Sequence, residues 1–321
     1  MNRGKLPFLA TRNPQLETRV YDPRVMETRC GYVSIVGKPN VGKSTLLNAF
    51  AGKKVSIVSE KPGTTRHRVY AAVTKDSAQA LFVDTPGLFK PSKMLDKFME
   101  RMVVRAVDGV DLVLLVSDDG GARENDRRML TTIKIRAKEV PVILVLNKMD
   151  LMKRGKLITE LVEKWRTLYQ FRAILPISAQ SAKGLPLLWQ AIAEALPERE
   201  FEVKADEEVG LDEKLWVADL IREKVLTLVH QEVPHAVAVI VQQYEEKGTL
   251  LKIMADLVVE RDSQKGILVG AGGSMIKAIG TDARKDIEKQ LNKKVFLELF
   301  VKVREKWRNN PSRLKEYGYE D

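Results

Sequence analysis

The chain has one cysteine, Cys30, and three histidines among 321 residues. No internal disulfide can form, which fits a reducing compartment, and so few histidines leave little material for a metal centre; no structural zinc is expected. His230 and His235 flank Glu232, but their spacing and Pro234 spoil the HExxH geometry that would put two imidazoles on one helical face. Long hydrophobic runs are missing as well. Those around Leu112 to Val116 and Val142 to Leu146 are strand-length, far short of the roughly 20 residues that cross a bilayer. There is no internal repeat and no low-complexity tract. Met1 to Arg29 holds six Lys and Arg, three acids and three prolines, with nothing like a secretory core. It reads as an unstructured extension. Its basic character leaves an organelle transit peptide open, although the acids and prolines interrupt any amphipathic helix, and Met26 is open as an alternative start.

What is present is an ordinary globular composition, 44% hydrophobic and 30% charged, over a length that favours two domains. The net charge of +11 points to a polyanionic partner. Asp206 to Asp262 is dominated by acids and Gln264 to Lys315 by Lys and Arg, so the basic stripe lies near the C-terminus. From Cys30 to about Pro197, strand-like runs (32–36, 69–74, 80–83, 112–117, 142–146, 173–177) alternate with helix-like segments (44–51, 96–107, 125–136, 157–169, 187–195). Alternation of this kind indicates an α/β sheet with crossover helices. The acid-rich stretch after Pro197 reads as a linker. Beyond it the order changes to helix 212–229, strands 236–243 and 250–259, a glycine-rich loop, helical segments and a strand 295–303. The expected division is therefore 1–29 extension, 30–197 first domain, 198–210 linker and 211–321 second domain with a C-terminal tail.

Gly37-Lys38-Pro39-Asn40-Val41-Gly42-Lys43-Ser44 satisfies GxxxxGK[ST] between a predicted strand and a predicted helix, the context that motif needs. Its glycines let backbone N–H groups and the helix N-terminus face phosphate oxygens. Lys43 should reach the β and γ phosphates, Ser44 should ligate Mg2+, and Thr45 follows at the phosphates. Asp84-Thr85-Pro86-Gly87 ends a second apolar strand, placing a carboxylate beside the magnesium shell and a mobile Gly87 N–H near a γ phosphate. Asn147-Lys148-Met149-Asp150 follows another strand. An acid at Asp150 can accept from N1 and the 2-amino group of guanine, and adenine offers no such donor pair. Ser178-Ala179, after the next strand, is placed to offer a backbone N–H to the guanine oxygen. Four elements in this order at strand ends form the expected GTP/GDP site.

In the second half, Gly270-Ala271-Gly272-Gly273 forms a GxxG loop before a helical stretch. Such a loop lets a sugar-phosphate backbone approach the main chain, and a following helix N-terminus favours anions. Lys265, Lys277, Arg284, Lys285, Lys289, Lys293 and Lys294 supply charge for phosphates. Ile276 and Ile279 are candidates for the apolar side of a base groove, with ordinary helix core as the other reading. Lys302, Arg304, Lys306 and Arg308 are open between a phosphate track and a solvated strand face.

The runs GKPNVGKS, DTPG, NKMD and SA resemble the translation-factor-like GTPases, and Pro39-Asn40 with Pro62-Gly63-Thr64-Thr65-Arg66 resembles the branch holding Era, Der and the tRNA-modifying GTPases. Der-like proteins carry two consecutive GTPase domains, and the single P-loop here excludes that arrangement. The GxxG unit, with Ile279-Gly280-Thr281-Asp282-Ala283-Arg284-Lys285-Asp286 and Leu297-Glu298-Leu299-Phe300-Val301-Lys302-Val303, resembles a type II KH domain, and the whole from Cys30 to near Tyr319 is similar to the Era family. The resemblance implies a P-loop GTPase fold with a mostly parallel sheet followed by an α+β type II KH domain. It also implies binding of the 3′ end of 16S-type rRNA during small-subunit assembly, in a cytoplasmic monomer that associates weakly with the inner-membrane surface. By the same resemblance Thr65, or else Thr64, closes on Mg2+ when GTP is bound, Thr65 being favoured. Leu88 stands where Ras-type proteins carry a water-orienting glutamine, so slow intrinsic turnover aided by potassium or another group is implied and no catalytic side chain is assigned. Asn40 is open between a K+ ligand and a turn residue of the P-loop. The competing reading is a signalling GTPase whose basic second domain meets anionic lipid; the GxxG loop counts against it.

Overall fold

The strand-like runs of the first half form a single sheet. In the computed structural model, which describes residues 28–87, 91–118, 120–152, 158–204, 212–230 and 232–319, the chain runs β1 (Arg29–Val36), α1 (Lys43–Ala51), β2 (Val69–Lys75), β3 (Ala78–Asp84), α2 (Met94–Arg105), β4 (Leu112–Ser117), α3 (Glu124–Arg136), β5 (Val142–Leu146), α4 (Ile158–Arg166), β6 (Ala173–Pro176) and α5 (Leu185–Ala195). Sheet order is β2-β3-β1-β4-β5-β6. All pairings are parallel except β2 with β3. The continuous apolar runs of β4 and β5 are buried throughout because helices cover both faces of a parallel sheet. Two cores result. One gathers α1 and α5 with Ile35, Phe82 and Leu114, and the other gathers α3 and α4 with Val113, Leu144 and Trp165. Chain order reverses at β1, which lies between β3 and β4, and in open α/β sheets ligands bind beyond the strand ends at such a point.

The acid-rich stretch is not a free linker at its start. Val203 is buried, the Gln79 side chain bonds the Glu202 and Val203 backbone, and Tyr32 donates to the Glu202 carboxylate. The second unit comprises α6 (Glu213–Leu228), the short α7 (Val233–Ala236), β7 (Ala238–Lys247), β8 (Leu250–Val259), α8 (Asp262–Val269), α9 (Ser274–Leu291), β9 (Lys294–Val303) and α10 (Pro311–Glu316). Its sheet order is β7-β8-β9, with β9 parallel to β8 at the edge. Helices α6 and α9 bury one face of that sheet around Leu220, Ile221, Leu257 and Ile279.

The two units dock through the loop between α1 and β2. Arg66 is buried and donates to Val237 O (2.6 Å) and His235 O (3.0 Å), with Trp307 5.9 Å below its guanidinium. In return Arg222 of α6, also buried, donates to Gly63 O and Thr64 O. Lys61 donates to the free carbonyls Leu226 O and Val229 O at the end of α6. Beside this exchange Leu95, Phe98, Met99 and Met102 of α2 pack on Trp307, Leu314, Tyr317 and Tyr319, and His67 stacks on Tyr319 at 4.9 Å. Each unit satisfies backbone groups of the other, so separating them would expose orphaned carbonyls and buried guanidinium groups together.

Candidate functional site: a nucleotide pocket and a groove on the second unit

The ends of β1, β3 and β5 converge on a cavity of about 640 Å³, lined by Asn40, Gly42, Lys43, Ser44, Thr45, Thr64, Thr65, Gly87, Asn147, Lys148 and Asp150 among others. Helix α1 starts here from Gly42 (φ 94°), and no side chain caps it, so its first N–H groups remain for an anion. A Cβ on Gly42 would stand 2.3 Å from Asn147 Nδ2, and one on Gly87 2.5 Å from Pro39 N. Only glycine permits both approaches.

Lys43 Nζ donates to Gly37 O (3.2 Å) and Lys38 O (3.1 Å), which folds the loop over it. Burial lowers its pKa to about 8, Asp84 opposing. Burial raises the Asp84 pKa, with Lys43 and the Ser44 and Ser56 hydroxyls acting the other way. Each buried charge is pushed toward neutrality by the lack of a counter-charge at contact, which a phosphate would supply to Lys43 and a cation to Asp84. The donor set fits magnesium. Ser44 Oγ lies 2.7 Å from Asp84 Oδ2 and 3.1 Å from Thr65 Oγ1, and neighbouring ligands of an octahedral Mg2+ at 2.0–2.1 Å stand about 3 Å apart. Asp84 Oδ1 is buried without a partner. Thr64 is turned away, its hydroxyl donating to Lys61 O at 2.6 Å.

Asn147 ties the base motif to the P-loop, donating to Val41 O (2.8 Å) and accepting from the Ala179 N–H (2.8 Å). The Ser178 N–H donates to Lys183 O. Both amides expected to face a guanine oxygen therefore have partners inside the protein here. Thr85 is a second departure: it is buried with its hydroxyl on Ile35 O (2.9 Å), locking β3 to β1 rather than lining the cavity. Asp150 and Lys148 line it as expected, Lys148 with φ 63°. Val41 contributes its backbone while its side chain is core. Asn40 has φ 63°, lines the cavity and donates through Nδ2 to Glu60 O. Gln180, Glu60 and Ile57 line the cavity without having been singled out, and Lys38, held by Asp118 at 2.8 Å and Asp126 at 3.8 Å, braces the P-loop. Leu88 lies outside the described residues.

On the second unit, Ile276, Lys277, Gly280, Thr281, Arg284, Leu297, Glu298 and Leu299 line a groove of about 340 Å³ between α9 and β9. Gly270, Ala271, Gly272 and Gly273 stand at its head, and α9 starts from Gly273 (φ 81°) without a side-chain cap. Ile276 belongs to the groove, whereas Ile279 is fully buried core. Lys285 does not line the groove; it is exposed near Asp282 (3.9 Å), and Arg284, one residue earlier on the helix, takes that place. Half of the basic stretch after β9 is spent within the protein: Lys302 bonds Asp256 (2.7 Å), and Arg308 bonds Glu260 and His235 O, while Arg304 and Lys306 are exposed.

A P-loop sheet with a buried lysine, a hydroxyl pair and an NKxD loop is the architecture of a GTP-binding protein, and the second unit has the glycine loop and groove of a KH domain. Family models agree: residues 32–148 match the 50S ribosome-binding GTPase family and residues 232–308 the KH domain. GTPase Era of Geobacter sp. (strain M21) is 43% identical over 91% of this chain and 98% of its own, and that of Lactobacillus helveticus 44% identical over 92% and 97%. Two crystal structures, Aquifex aeolicus Era as a point variant with GDP and aluminium fluoride and Era with MgGDPNP and nucleotides 1506–1542 of 16S rRNA, each superpose with TM-score 0.87 at 36% identity, over 92% of this chain and 100% of theirs. The chain belongs to the GTPase Era family, and it is a GTPase with a KH domain.

Proposed function

We propose that this protein is a GTP-controlled clamp for the 3′ end of 16S-type rRNA, acting in small-subunit assembly in the cytoplasm. One observation carries the reading: the loop holding Thr65 beside Ser44 is bonded to the KH unit by Arg222 at the neighbouring Gly63 and Thr64 carbonyls. A change at the γ phosphate cannot move that loop without disturbing the interface behind it, which is the two-state element a switch requires. Lys43 binds the phosphates, the α1 N-terminus adds its dipole, Asp150 selects guanine, and Ser44 and Thr65 with Asp84 behind them would hold Mg2+. Bound there, the metal supplies charge neutralisation at the phosphates. Asn40 is the side chain that would meet K+. The GxxG loop clamps the RNA backbone while Ile276 and Arg284 face its bases and phosphates. No helix among the described residues is long and apolar enough to cross a membrane; the reading includes a weak association with the membrane surface.

The test is binding of a short RNA matching the small-subunit 3′ end to the full chain with GTP analogue, GDP or neither. Tighter binding with the analogue is expected. Equal affinity in all three states would remove nucleotide control, and no binding in any would return the KH unit to a protein or membrane role.

A further inference from the structure

The KH sheet has a second face, opposite α6 and α9, and the protein covers only part of it. Along β9, Val295, Leu297, Leu299, Val301 and Val303 pack toward the helices. Strand alternation therefore turns Lys294, Phe296, Glu298, Phe300 and Lys302 to the other side. Register sets Lys252 opposite Phe296, Met254 opposite Glu298, Asp256 opposite Phe300 and Val258 opposite Lys302. At the Val258 end the face is roofed: Ala238, Ile240 and Val258 lie under Trp307, Leu314, Tyr317 and Tyr319, with α2 beyond. At the other end it is open, and Phe296 and Phe300 are 47% and 43% exposed. Two aromatic rings on one row of an edge strand, about 13 Å apart, with Lys294 beyond one and Lys302, paired to Asp256, beyond the other, are not how a chain disposes of surplus apolar area. The same chain built a roof for the adjoining half.

The groove and this face share a strand. Glu298 lines the groove and also stands between Phe296 and Phe300 in the outward row, so a strand leaving the groove over the β9 edge arrives on the two rings. We propose that the open half of the KH sheet is a base-stacking platform for the nucleotides that continue from the groove, Phe296 and Phe300 each taking the face of a base. Aromatic stacking suits that place because every base has a π-face and no particular sequence is required. Glu298 between the rings can accept from an exocyclic amine, so a cytosine or adenine fits there better than a uracil. The inference rests on the groove being the RNA site.

The test compares an RNA of about four nucleotides, the length a GxxG loop clamps, with the same RNA extended by about four on its 5′ or its 3′ side. Affinities are read by fluorescence anisotropy on the full chain with GTP analogue. Phe296→Ala and Phe300→Ala should bind the short RNA like the unaltered chain and bind one of the extended RNAs about five-fold or more weakly, the factor carried by a stacked base; Phe300→Tyr should restore it. The idea is overturned if both extended RNAs bind the alanine variants as they bind the unaltered chain, which would leave the rings to a protein partner. It is overturned as well if short and extended RNAs weaken alike, since the rings would then only support the groove. A Gly272→Asp variant that still bound the short RNA normally would show that the groove reading had failed first.

Discussion

Helices α1 and α9 begin in the same way, from a glycine with positive φ and no side-chain cap, Gly42 in one and Gly273 in the other. Their surroundings differ in kind. At Gly42 the space a Cβ would need is filled by Asn147, with Lys43 and Asp84 buried beside it. At Gly272 and Gly273 nothing lies within 4 Å of that position. One glycine serves contacts inside the protein, the other keeps a surface clear for something that arrives. A nucleotide pocket must exclude water and hold charges before its ligand binds, so its glycines are packed; a single-strand groove needs only a bare backbone and nearby cations.

Gly42→Ala should break the first region most severely. The methyl group would meet Asn147 Nδ2 at 2.3 Å in a backbone conformation that alanine rarely adopts, displacing the residue that joins Val41 to Ala179. We expect nucleotide affinity, measured by titration with a fluorescent GDP, to fall on the order of 100-fold or more. An effect under about three-fold would mean that Asn147 can retreat without cost. Gly272→Asp is the matching change in the second region. The space around it is open and aspartate tolerates φ 55° better than most side chains, at some cost in strain, while its charge opposes phosphate. RNA affinity should fall about ten-fold or more with GDP affinity unchanged and the thermal midpoint lowered only slightly; a loss of both activities would indicate misfolding instead.

The same contrast explains what the sequence made legible. The P-loop, Asp84 and Asn147 to Asp150 could be placed because each needs a fixed residue type at a strand end, and the runs that became β4, β5 and β8 were readable from apolar character alone. Spacing does not separate Thr65 from Thr64; the loop's fold distinguishes their hydroxyls, one turned to Ser44 and the other to Lys61. Basic content along α9 does not say which side faces β9, so Arg284 rather than Lys285 as the groove-lining cation was not legible, whereas the row through Ile276, Gly280 and Arg284 shows it. Ser178 and Ala179 follow the strand they were expected to follow, but their hydrogen bonds to Lys183 and Asn147 depend on tertiary distances that no short motif encodes. Arg222 had no local signal at all. It sits mid-helix in α6, and its partners, Gly63 and Thr64, are in the other unit. A side chain whose partner is remote backbone leaves no pattern.

At neutral pH the smallest expected effect is a pH dependence confined to the nucleotide pocket, which grows only on the alkaline side. In the free protein burial holds the Lys43 pKa near 8, and a phosphate at contact raises it by favouring the charged form. The complex therefore binds a proton that the free protein has begun to release above about pH 8. Affinity should be at its full value below that pH and decline as pH rises through it, approaching ten-fold per pH unit at most until the pKa of the complex is reached. Asp84 works at the other end: its pKa is raised in the free protein, and a cation beside it favours the carboxylate, so magnesium-dependent affinity should fall as acid protonates it. GDP affinity measured from pH 7 to 9.5, with proton uptake followed by calorimetry in buffers of different ionisation heat, checks the alkaline limb. RNA affinity over the same range is the control, because Lys277 at the groove is exposed where Lys43 is buried. A GDP affinity flat across pH 8 would mean that the loop opens enough to hydrate Lys43 before the phosphate arrives, and the pocket would then be no more preformed than the groove.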